Sequence, residues 1–63
     1  MRLPDWMMTE TGWTINGYTC VGMVSGMDGM FKMTRDGDSM WVEAWQVIAW
    51  MKQGMPVVRA EEK

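Results

Sequence analysis

The sequence predicts a small α+β domain: a three- to four-stranded antiparallel meander, then one helix packed on one sheet face, with room for a short C-terminal strand. Three observations carry this. Asn16-Gly17 and Asp36-Gly37 are two-residue hairpin signals, because a type I′ turn needs positive φ at both central residues. Ser25-Gly26-Met27-Asp28-Gly29 reads as a longer hairpin loop. Glu43–Gln53 contains neither Gly nor Pro, and Gly54 and Pro56 follow it as stop signals.

Between the turns lie three runs suited to a pleated sheet: Tyr18–Val24, Met30–Arg35 and Asp38–Val42. Trp13–Ile15 can pair across Asn16-Gly17 as a fourth strand. In the helix, Glu43 in the first turn and Lys52 in the last both suit the macrodipole. Met55–Arg59 reads as a short edge strand. At 63 residues the chain makes one domain, with 1–8 as an N-terminal arm and 60–63 as a frayed tail. In layout this order of elements looks like that of many short bacterial and phage domains, and no residue role follows from that.

Turn chemistry also fixes faces. With Asp36-Gly37 as the turn, Arg35 opposes Asp38, Thr34 Ser39, Met33 Met40, Lys32 Trp41 and Phe31 Val42. Opposed residues share a face. Phe31, Met33, Met40 and Val42 form one face, and Lys32, Thr34, Ser39 and Trp41 the other. If Val24 opposes Met30, unbroken pairing adds Val21 and Met23 to the first face. The same pairing places Tyr18 and Cys20 beside Trp41, with Trp13 and Ile15 joining them. The helix stripe Ala44, Val47, Ile48 and Met51 is expected to dock on the first face. The second would then be rich in aromatic side chains with no helix to cover it, shielded either by the arm residues Leu3, Trp6, Met7 and Met8 or by a partner.

Composition narrows the function classes. Six basic and eight acidic residues leave a net charge of −2, which is no polybasic signature for duplex DNA or an anionic membrane. The chain has no histidine and one cysteine, Cys20, so general-base chemistry and an internal disulfide both lack material. No segment approaches a membrane span, the N-terminus has no leader-like apolar run, and a cytoplasmic setting is expected. Ten methionines and five tryptophans serve a core or an interface equally well.

Met23, Met27, Met30 and Met33 have a spacing that suggests Cu(I), but Met30 and Met33 on one strand point to opposite faces. Asp36, Asp38 and Glu43 faintly suggest a calcium loop, yet Trp41 stands where that loop needs glycine. No metal or cofactor is therefore expected, and no catalytic residue. The expected function is a non-enzymatic protein-interaction module binding a host protein or a second copy of itself, in the manner of a phage or mobile-element accessory protein. Trp13, Tyr18, Lys32 and Trp41 would form its face, Lys32 and Trp41 as a cation–π pair, with Trp50 on the helix flank. The alternative is single-stranded nucleic-acid binding on a platform of Tyr18, Trp41, Trp13, Lys32 and Arg35, with Asp28, Asp36 and Asp38 opposing it at the rim.

Overall fold

A computed structural model describes residues 3–24 and 29–60. Five antiparallel strands form one sheet in the order β4-β3-β2-β1-β5: β1 Thr14–Ile15, β2 Tyr18–Val24, β3 Met30–Arg35, β4 Asp38–Glu43 and β5 Val57–Val58. Helix α1, Ala44–Lys52, follows β4 directly. A 3-10 turn at Asp5–Met8 precedes the sheet. The α+β meander with one helix on one face is the fold the sequence predicts, with a fifth strand at the edge where Met55–Arg59 was expected.

The two short turns behave as their chemistry requires. Asn16 and Asp36 take φ of 52° and 54°, followed by Gly17 and Gly37 at 79° and 85°. Positive φ at both positions gives the type I′ twist that keeps hairpin strands together. The β3–β4 register follows as expected, from Arg35↔Asp38 to Phe31↔Val42 and on to Met30↔Glu43.

The β2–β3 register departs from expectation at one place. Val24↔Met30 and Met23↔Phe31 pair as foreseen, but the ladder shifts between Cys20 and Gly22, so Cys20 opposes Met33 and Val21 is the extra residue. A bulge reverses the facing of everything beyond it. Val21 is exposed, not core, and Cys20, Tyr18, Ile15 and Trp13 move to the helix-bearing face. Glycine gives the reason: a strand interior that includes Gly22 packs no side chain there and bends easily.

The core therefore gathers on one side. Trp13, Ile15, Cys20, Phe31, Met33, Val42 and Val47 are buried together with Leu3 and Met7 from the N-terminal segment. Trp13 meets Phe31 edge-on at 5.2 Å, and its indole N–H donates to the Glu10 carbonyl at 3.1 Å. The helix stripe docks as expected, with Val47 fully buried and Ala44, Ile48 and Met51 packed around it. The opposite face is largely polar, with Trp41 and Val58 as exposed apolar exceptions. Thr14, Thr19, Thr34 and Ser39 run across it in one cross-strand row, with Lys32 and Trp41 beside them. Among the described residues of the N-terminal segment, Leu3 and Met7 join the core rather than that face. Ala60 is half-buried where fraying was expected, and 61–63 lie outside the described residues.

Candidate interaction surface

The expected aromatic platform is not assembled. Trp13 is 0% exposed and lies in the core, which corrects its placement on an interaction face. Tyr18 is on the helix side, half-buried, stacked on Trp50 with centroids 5.3 Å apart and planes at 13°. Trp50 thus anchors the helix rather than standing on its solvent flank. Arg35 lies over the Tyr18 ring at 5.2 Å, away from Lys32 and Trp41. Lys32 and Trp41 are cross-strand neighbours on the polar face, as predicted. The ring–cation contacts seen among the described residues are those of Arg35 with Tyr18 and Arg59 with Trp6, instead of Lys32 with Trp41. Asp28 and Met27, which figured in the rim and copper arguments, fall outside the described residues. Met30 and Met33 point to opposite faces, so these two do not converge on a metal.

What the structure does assemble is an apolar strip along the open edge of β4. Met40, Trp41 and Trp45 are 41%, 52% and 62% exposed. Met40 belongs to the helix-bearing face and Trp41 to the polar face, so the strip wraps the strand edge. Trp45 comes from the first turn of α1, and its indole N–H donates to the Glu43 carboxylate. A groove of about 400 Å³ runs here, with Val42, Gln46 and the Tyr18–Trp50 stack as its inner wall. The sequence offered a signal for Trp45: it lies off the Ala44/Val47/Ile48/Met51 stripe and so must emerge on a flank.

Among the described residues no strand pairs with the backbone at this edge. The Ala44 N–H donates to the Gly29 carbonyl at 3.1 Å. Hydrogen-bonding direction alternates along an antiparallel strand. Met40 and Val42 therefore bond to β3, and the N–H groups of Ser39, Trp41 and Glu43 point away from the sheet, with the carbonyls of Ser39 and Trp41. The Glu43 carbonyl starts the helix, since Glu43 is its N-cap residue.

The other groups with chemistry in them are tied down. Cys20 is buried, its thiol lies 3.4 Å from the Gly22 carbonyl, and burial pushes its pKa up. Glu10 takes a two-pronged hydrogen bond from Arg59, one prong at 3.0 Å, and that bond holds its carboxyl below the usual glutamate range. Among the described residues no three His, Cys, Asp or Glu side chains cluster as metal ligands, and no helix is long and apolar enough to cross a membrane. Comparison with protein families, curated proteins and solved structures finds no match to this chain.

Proposed function

We propose that this chain is a non-enzymatic protein-interaction module that engages another polypeptide along the β4 edge and the groove beside α1. One observation carries the reading: a strand edge unpaired among the described residues, whose exposed large apolar side chains are Met40 and Trp41, with Trp45 beside them. Free backbone groups supply hydrogen bonds to an incoming strand, and flanking pockets supply selectivity. Aromatic side chains in such pockets contribute most per residue. Lys32 and Glu43 stand at the margin, where charge steers more than it holds. The partner is a host protein or a second copy. A cytoplasmic setting fits the single buried thiol.

The nucleic-acid reading loses its footing with the platform, since Trp41 and Lys32 alone of the five named residues share the polar face. The test is panning a random peptide-display library on the immobilised chain, with Trp41→Ala as the counter-screen. Enrichment of extended, apolar peptides that Trp41→Ala no longer retains supports the reading. Failure to enrich any peptide, together with binding of a single-stranded oligonucleotide that falls steeply with salt, overturns it.

A further inference from the structure

We infer that the partner seated on this edge is a second copy of the chain, joined by antiparallel β4–β4 pairing about a two-fold axis at Trp41. The inference rests on the docking role proposed for this edge and adds the identity of the occupant.

The two sheet edges are not alike. β5 is two residues long and follows Pro56, so it offers little to an incoming strand. β4 is six residues long, contains no proline and presents Met40 and Trp41 at its centre. An edge left this open is a pairing template, and the β4 sequence complements itself in one register. Opposed residues must share a face, and outward-facing backbone groups must meet each other. Both conditions hold when Trp41 opposes Trp41 of the second copy. Ser39 then meets Glu43, Met40 meets Val42, and Asp38 meets Ala44. Four backbone hydrogen bonds form, two between the Trp41 residues and two from Glu43 N–H to Ser39 carbonyls.

Charge and apolarity both favour this register. No like charges stand directly opposite each other. The apolar row Met33–Met40 runs on into Val42–Phe31 of the second copy, because Met33 pairs with Met40 and Phe31 with Val42 within each chain. Centring the axis on Met40 would set Asp38 against Val42, a carboxylate facing the apolar row. Centring it on Val42 would shorten the ladder to the last residues before α1. The two sheets would join into one of ten strands, twice the five of each copy. The groove between β4 and α1 would then close over Met40, whose 41% exposure in the single chain has no covering element. An edge-to-edge contact of this kind is expected to be weak and reversible, with a dissociation constant on the order of 1–100 μM.

The test joins a concentration series to directed crosslinking. Sedimentation of the full chain should show a monomer–dimer equilibrium with a midpoint in that range. Trp41→Lys, which sets like charges face to face, should raise the midpoint at least about tenfold. Trp41→Cys should form a covalent dimer under mild oxidation, because the paired Cα atoms would lie about 5.5 Å apart, within disulfide reach. Ser39→Cys should not, since four residues of offset separate its copies by about 13 Å. Cys20 is buried and stays out of the reaction. A chain that stays monomeric at about 1 mM, or equal crosslinking through residues 39 and 41, overturns the inference. Peptide capture that persists in a strictly monomeric chain would sink the second copy as occupant and leave the docking edge standing. Loss of both would remove the edge itself.

Discussion

Trp13→Ala should cost the fold about 4 kcal/mol. Trp13 is fully buried, meets Phe31 edge-on and donates its indole N–H to the Glu10 carbonyl. A tryptophan buries about 150–250 Å². At about 25 cal/mol per Å² that is about 4–6 kcal/mol, of which the alanine Cβ keeps a little. Large aromatic-to-alanine changes in cores fall at about 3–5 kcal/mol. A domain of 63 residues has a total stability of about 3–9 kcal/mol, so this one substitution removes a large part of it. The assay is urea unfolding followed by tryptophan fluorescence at about 0.1 μM, below the proposed range of association. With a denaturant slope near 1 kcal/mol/M, the midpoint should fall by about 3–4 M, or the folded baseline should vanish. Trp41→Ala, on the polar face, should move the monomer by less than about 1 kcal/mol. A stable Trp13→Ala would show that the bulge has been placed wrongly and that Trp13 lies beside Trp41 on the far face, while an unfolded Trp41→Ala would show that this face is covered.

Three further outcomes follow from the same geometry. Glu10 has a folded pKa below its unfolded value, so its pairing with Arg59 stabilises above the ordinary glutamate pKa and is lost as pH falls through the depressed one. Melting temperatures from neutral pH downwards should fall across that window in the native chain, while Glu10→Gln should lack that component; matching profiles would refute the assignment. The Cys20 thiol, buried and with its pKa raised, should react with a thiol reagent at least about a hundredfold more slowly in the folded chain than in urea, and equal rates would show that it is not in the core. Deleting Val21 removes the extra residue and leaves Cys20 opposite Met33 and Gly22 opposite Lys32, so the variant should keep the same core and unfold cooperatively; loss of the fold would mean that Val21 is a paired residue and the ladder has no bulge to lose.

Much of this was legible in the sequence because local chemistry fixed it. Asp36-Gly37 sets the β3–β4 register residue by residue, and the run from Ala44 to Lys52, closed by Gly54, has the composition and stops of a helix. The strand before them was harder. A single extra residue in β2 turned an apparent second apolar face into a threonine row and sent four side chains, Trp13, Ile15, Tyr18 and Cys20, under the helix. Gly22 inside an otherwise strand-like run was the available sign, since an interior glycine often marks a bulge. Trp50 followed from the same change: with Tyr18 on the helix side, it has a ring to stack on. Of the residues expected at an interaction face, Trp41 and Lys32 remain exposed on one side, Tyr18 and Trp50 form the inner wall of the groove, and Trp13 is core. Trp45 enters in its place, visible in the sequence only as an aromatic off the helix stripe.

Amide hydrogen exchange along β4, read at low and high protein concentration, tests the working edge most directly. In dilute solution the Met40 and Val42 amides should be protected by β3, while those of Ser39, Trp41 and Glu43 exchange freely; at high concentration the Trp41 and Glu43 amides should slow. Protection of all five in dilute solution, or no change in either of those two on concentrating, would contradict an open strand that takes up another copy.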